Sequence, residues 1–163
     1  MSSHASKPFS KTTVGVISDT HGLLRPEAFR ALEGSHLIIH AGDIGKPEVL
    51  TQLETLAPVI AVKGNNDRGP WAESLSNTQS TTIQGHQIFV IHDVTQFESD
   101  PIHSPFKVII SGHSHKPTVT EQNDMLFLNP GSAGPRRFSL PITVAKIHIE
   151  GLSLSHQFIH LTS

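Results

Sequence analysis

The sequence predicts an α/β domain made of two packed β-sheets with helices outside, and three observations carry that prediction. The first part alternates apolar runs with amphipathic stretches in the order strand, helix, strand, helix, strand, which implies a parallel sheet with crossover helices. The second half consists mostly of short apolar runs paired about turn residues, the mark of hairpins and of largely antiparallel pairing. Apolar runs in both halves end on Asp, Asn or His close to a glycine, side chains that can hold a metal ion.

Residues 13–18 are β-branched and apolar between polar neighbours and read as the first buried strand, ending on Asp19-Thr20-His21. Pro26 opens a short helix to residue 32, with Phe29 and Leu32 on one face. Residues 37–40 form the second strand and lead into Ala41-Gly42-Asp43. Pro47 opens an amphipathic helix to about residue 56, with Leu50, Leu53 and Leu56 at helical spacing. The third strand, 59–62, runs into Lys63-Gly64-Asn65-Asn66-Asp67. Expected hairpins pair 81–83 with 87–91 about Gln84-Gly85-His86, 118–121 with 125–128 about Asn123-Asp124, and 143–150 with 152–160 about Gly151. Residues 108–110 form a further buried strand that leads into Ser111-Gly112-His113-Ser114-His115. Residues 1–12 are expected to be a flexible tail before a single domain, 13–163.

Composition narrows the chemistry. With no cysteine in 163 residues, disulfides and thiolate metal sites are excluded, and a metal must be held by imidazole, carboxylate, amide or water. A formal net charge of −2 without a basic run argues against a protein that grips nucleic acid by its phosphates. No apolar run approaches the roughly 20 residues of a membrane span, so a soluble cytoplasmic protein is expected.

The strand-end donors are Asp19, His21, Asp43, Asn65, His92, His113 and His115, His92 closing the run of residues 89–91. In an extended segment residues i and i+2 point the same way, so His113 and His115 are expected to present two imidazoles to one place. Each donor has an ordinary explanation by itself: Asp19 and Asp43 as helix caps, Asn65 as a turn residue, His92 as a hydrogen-bonded strand histidine. Together they supply enough oxygen and nitrogen for two ions sharing one carboxylate. The other histidines, His4, His36, His40, His86, His103, His148, His156 and His160, read as structural or surface residues. Ser132 lacks the two-glycine spacing of a nucleophile elbow.

In this order the donors resemble the calcineurin-like metallophosphoesterase superfamily, whose pattern is D-x-H, G-D, G-N-x-D, H and G-H-x-H. Here it stands as Asp19-Thr20-His21, Gly42-Asp43, Gly64-Asn65-Asn66-Asp67, His92 and Gly112-His113-Ser114-His115. Leu128-Asn129-Pro130-Gly131-Ser132 is similar to a segment of the small prokaryotic phosphodiesterase branch, which shares its fold with the retromer subunit Vps29. The resemblance implies a four-layer αββα sandwich of two mixed β-sheets flanked by helices. It implies that Asp19, His21 and His115 hold one divalent ion, that Asn65, His92 and His113 hold a second, and that Asp43 bridges. Manganese is the first expectation, with Ni, Fe, Zn or Mg as alternatives. A hydroxide generated between the ions would attack phosphorus in line.

Asp67 is expected to accept from a neighbouring imidazole and fix its tautomer. Many members have histidine where this chain has Asn66. Its amide can donate to a phosphate oxygen but cannot act as a proton donor near neutral pH. Asn66 and Asp67 are the catalytic candidates, and Asn66 and Arg68 the substrate-binding ones. Asp93 stands where glycine is common and either tunes the second metal site or caps a turn. The expected function is metal-dependent hydrolysis of phosphodiesters. The alternatives are a protein-binding scaffold of the Vps29 kind with weak or no hydrolysis, or a phosphomonoesterase. The expected partner is a small phosphoester, with neither membrane nor strong nucleic-acid binding, and the last hairpin offers an edge for a homo-oligomer.

Overall fold

The computed structural model describes residues 10–98 and 104–161. Two mixed five-stranded sheets face each other. The first, in the order β10-β9-β1-β2-β3, contains β1 (Thr12–Ile17), β2 (Leu37–His40), β3 (Val59–Ala61), β9 (Thr143–Glu150) and β10 (Ser153–His160). The second, in the order β4-β5-β6-β8-β7, contains β4 (Thr78–Ile83), β5 (His86–Ile91), β6 (Val108–Ile110), β7 (Thr118–Gln122) and β8 (Met125–Asn129). Most of the expected tail lies outside the described residues, and Thr12 already belongs to β1.

Alternation along each strand builds three apolar layers. Val14, Val16 and Ile39 of the first sheet meet Ile88, Val90, Val108, Ile110 and Leu128 of the second, forming the core between the sheets. Ile17, Ile38 and Val144 point the other way and are covered by α1 (Pro26–Ala31) and α2 (Pro47–Glu54) through Ala28, Val49 and Leu53. On the outer face of the second sheet Phe89 and Phe127 are covered by Phe97 and Phe106, with Phe89 5.2 Å from Phe97 and 4.9 Å from Phe106 between ring centroids. A 3₁₀ turn, Val94–Gln96, precedes Phe97.

The first sheet pairs β1, β2 and β3 in parallel, as the βαβ pattern requires. The second departs from the expected antiparallel character: β5, β6 and β8 are parallel, and antiparallel pairing is confined to its two edges, β4 with β5 and β7 with β8. The last hairpin joins the first sheet, β9 running antiparallel to β1. A short helix not anticipated from the sequence, α3 (Pro70–Glu73), follows Gly69, and its Trp71 packs into the outer apolar cluster. Among the described residues no helix is long and apolar enough to cross a membrane.

Registers set the strand ends level: Ile17 lies opposite His40, which lies opposite Ala61, and Val90 opposite Ile110, which lies opposite Leu128. Carboxyl ends of parallel strands from both sheets therefore meet at one edge of the sandwich, the place where such folds bind ligands.

Candidate metal centre

The loops at that edge extend the ladder beyond the strands. Asp19 N donates to Gly42 O at 3.0 Å, His21 N to Asp43 O at 2.9 Å and Gly22 N to Ile44 O at 2.7 Å. Between these bonds the backbone takes left-handed conformations at Asp19 (φ 56°), His21 (φ 48°) and Asp43 (φ 55°), and again at His113 (φ 73°) and His115 (φ 64°). Residues other than glycine adopt this conformation at a cost of about 1–3 kcal/mol, and it persists only where surrounding structure enforces it. Five of the seven expected donors are held this way. His113 and His115 thus lie beyond β6 in a turn and not on an extended strand. The expectation that they point to one place is corrected: His115 is buried beside His21, while His113 is half-exposed beside His92.

The carboxylates converge with the imidazoles. Asp19 Oδ1 stands 3.4 Å from His115 Nε2, 3.9 Å from His21 Nε2 and 4.0 Å from His92 Nε2. Asp43 Oδ2 stands 3.3 Å from His92 Nε2 and 3.8 Å from His21 Nε2. Asp19, His21 and His115 form one potential metal group, and Asp19, Asp43 and His92 a second, so Asp19 belongs to both, while Asp43 belongs to the second and reaches toward the first only through His21. On the His92 side, Asn65 Oδ1 lies 3.2 Å from His113 Nδ1. All seven expected donors thereby border one centre, with His115 on its His21 side and His113 on its His92 side.

These atoms fit a cation. His92 Nδ1 donates to the Ala41 carbonyl at 2.7 Å, which leaves its Nε2 aimed at carboxylate oxygens. Among the described residues His92 Nε2 and Asp19 Oδ1 are buried with no hydrogen-bond partner. A bare nitrogen lone pair and two carboxylates in such proximity repel unless positive charge lies among them, as a proton on the ring or as a metal ion. Burial pushes the Asp19 carboxyl up, but the close approach of His115, the hydrogen bond from Ser18 and the charges of His92 and His115 outweigh it and leave the group below its ordinary value. Burial likewise pushes Asp43 up, and contacts with His92 and Asn66 overcome it, so its net shift is also downward. For His92 burial acts downward, while Asp43, the Ala41 carbonyl and Asp19 draw it upward to a raised net value.

Neighbouring residues orient the donors. Asp19 Oδ2 accepts from Ser18 Oγ at 2.7 Å and from His113 N at 3.0 Å, which leaves Oδ1 as the free oxygen. Asn129 Nδ2 donates to Gly112 O at 2.8 Å and to Ser114 Oγ at 3.1 Å, pinning the loop of both histidines, and Ser132 Oγ donates to Asp19 O at 3.0 Å. The sequence singles out the segment containing Asn129 and Ser132 without giving it a task; these bonds give it one. The motif glycines allow close approach: a Cβ on Gly64 would sit 2.1 Å from Asp43 N, and one on Gly112 2.0 Å from Ser18 Oγ.

One expectation needs correction. Among the described residues Asp67 accepts from no imidazole; its buried carboxylate takes the amides of Ile44, Gly45 and Gly64 at 3.2, 2.9 and 2.9 Å, clasping the loop after β2 to the loop after β3. Asn66 is turned to the metal group: its N donates to Asp43 Oδ1 at 2.9 Å and its Nδ2 to Asp43 Oδ2 at 3.0 Å. Asp93 caps the 3₁₀ turn through Thr95 N and Oγ1, with its Oδ2 4.0 Å from His113 Nε2. An open cleft of about 600 Å³ borders only the His92 side of the centre, lined by Lys63, Asn65, Arg68, Asn77, Gln96 and His113 among others.

Comparison with known proteins agrees with this geometry. Residues 13–151 match the model of the calcineurin-like phosphoesterase superfamily domain. A probable metallophosphoesterase of Methanothermobacter thermautotrophicus is 39% identical over 158 residues, covering 90% of this chain and 91% of the relative. A phosphodiesterase of Methanocaldococcus jannaschii is 30% identical over 137 residues, covering 72% of this chain and 82% of the relative. Among solved structures, Vps29 of Cryptosporidium parvum superposes with a TM-score of 0.74 at 20% identity, covering 95% of this chain and 100% of that one.

Proposed function

As the chain belongs to the calcineurin-like phosphoesterase superfamily, we propose that it hydrolyses phosphodiesters at a centre of two divalent cations. The observation that carries this reading is the convergence of Asp19 Oδ1 and Asp43 Oδ2 with the bare nitrogen of His92 and with His21 and His115. Asp19, His21 and His115 would hold one ion and Asn65, His92 and His113 the other, with Asp43 shared. Manganese is the first candidate for this all-nitrogen-and-oxygen set, then Ni, Fe, Zn or Mg. Two such ions supply charge that neutralises phosphoryl oxygens and lowers the pKa of a bound water.

The chain's own residues do the rest. Ser18 and His113 N fix the rotation of the Asp19 carboxylate. Asn66 orients Asp43, and Arg68, exposed at the rim of the cleft, would grip a phosphate oxygen. Diester specificity is supported by the cleft, which gives the second ester arm a place, and by the relative named a phosphodiesterase.

Chelator-stripped protein should regain hydrolysis when Mn, Ni, Zn or Mg is restored, with a chromogenic diester preferred over its monoester analogue, and Asp43→Ala should abolish turnover. Monoester preference would overturn the substrate class. Metal binding without turnover on either ester would favour the partner-binding scaffold that the Vps29-like fold admits.

A further inference from the structure

His40 is fully buried at the end of β2, outside the donor set, and its two ring nitrogens face two different donor-bearing loops. Gly42 N–H can only donate, so His40 Nδ1, 3.1 Å away, accepts. The neutral ring then carries its proton on Nε2, which donates to Thr20 Oγ1 at 3.0 Å, and the Thr20 hydroxyl donates onward to Ile44 O at 2.8 Å. Every group in this buried relay gives or receives in one consistent direction. The relay also brackets the strained backbone. Thr20 stands between Asp19 and His21, both left-handed, and the gripped groups of Gly42 and Ile44 flank Asp43, left-handed as well. Backbone held in such conformations relaxes when its neighbours stop enforcing it, and the side chains it carries then move.

We propose that His40 and Thr20 are positioning residues of the metal centre: the hydrogen-bond relay through the His40 imidazole and the Thr20 hydroxyl holds the Asp19-His21 loop and the Asp43 loop at the separation that metal binding needs. The inference rests on the metal-dependent reading above, so its test reads affinity rather than turnover. Calorimetric titration of the chelator-stripped full chain with Mn²⁺ compares wild type, Thr20→Val, His40→Phe and His40→Gln. Val keeps the shape of Thr20 without its hydroxyl. Phe fills the imidazole's space without a polar atom, and Gln can still donate toward Thr20.

Thr20→Val and His40→Phe should weaken Mn²⁺ binding by about 10-fold or more, the scale of lost outer-sphere hydrogen bonds, while His40→Gln stays nearer wild type. The thermal midpoint of each metal-free variant, read in parallel, separates positioning from stability, because a purely structural role would lower the midpoint and leave the affinity of folded protein unchanged. Wild-type affinity in folded Thr20→Val would overturn the proposal, and that variant decides alone if His40→Phe does not fold. Failure of the wild type itself to bind Mn²⁺ or another of the candidate ions would instead overturn the metal reading on which it depends.

Discussion

Burial holds His40 neutral, its pKa lowered from 6.5 to about 4 although the carboxylates of Asp19, Asp67 and Asp43 draw it upward; His92 adds to the lowering. A histidine depressed on folding contributes no pH dependence above its unfolded value, where both states are neutral. As pH falls from 6.5 toward 4 the unfolded chain binds a proton that the folded protein refuses, and stability falls by roughly 3 kcal/mol across that window. His92, raised on folding, acts in the opposite sense, so the wild-type curve alone mixes the two. The difference in unfolding free energy between the metal-free wild type and His40→Gln, followed by denaturant titration from pH 7.5 to 4 in steps of about 0.5, isolates His40: the wild type should lose stability relative to the variant below pH 6.5. Parallel curves would show that the ring is protonated in the folded state. At this scale the donor types and their order were readable in the sequence, whereas their backbone was not. Asp19, Asp43 and His115 look like ordinary strand-end residues, and nothing local announces φ near 60°. His40 was invisible for the same reason, because a lone strand histidine acquires a task only once Thr20 and Gly42 fold around it.

The hairpin between β4 and β5 shows how an element can be built against its own turn preference. Gln84 and Gly85 both have positive φ (47° and 85°), the two-residue turn that matches strand twist and favours Asn-Gly. Gln84 is kept there by its side chain: Nε2 lies 2.7 Å from Ser10 O, 3.0 Å from Thr12 Oγ1 and 3.3 Å from Ile149 O, and Oε1 accepts from Gly151 N at 2.6 Å. The amide thereby ties the tip of a second-sheet hairpin to the start of β1 and to the turn between β9 and β10. Gln84→Asn would relieve left-handed strain by about 1 kcal/mol. It would also lose two or three hydrogen bonds worth together about 2 kcal/mol at this half-exposed place. The loss wins, and the thermal midpoint should fall by about 2–4 °C; a rise would mean that turn strain outweighs the clasp. Elements of the first sheet were legible because apolar strands and amphipathic helices alternate. The parallel core of the second was not, because β6 is only Val108–Ile110 and the sequence between it and β5 carries no helical periodicity. Short apolar runs carry no mark of their direction.

Across the whole molecule the donors come from both sheets: Asp19, His21, Asp43 and Asn65 from loops of the first, His92, His113 and His115 from loops of the second. The same edge is closed by hydrogen bonds between loops of the two sheets, His113 N to Asp19 Oδ2, Ala133 N to Ser18 O and His92 Nδ1 to Ala41 O. Ions bound there would add a further cross-link to the hydrogen bonds and the apolar core that join the sheets. Because the unfolded chain cannot assemble donors so far apart in sequence, binding free energy appears as folding stability, about 2.7 kcal/mol for an ion at one hundred times its dissociation constant. For a chain of this size that raises the thermal midpoint by roughly 5–10 °C per ion. Scanning calorimetry with and without excess Mn²⁺ should show such a rise in the wild type. In Asp43→Ala, which removes the carboxylate proposed to be shared by the two ions, the rise should shrink to no more than one ion's worth. An undiminished rise in that variant would place the stabilising ion elsewhere on the molecule and remove Asp43 from its shared position.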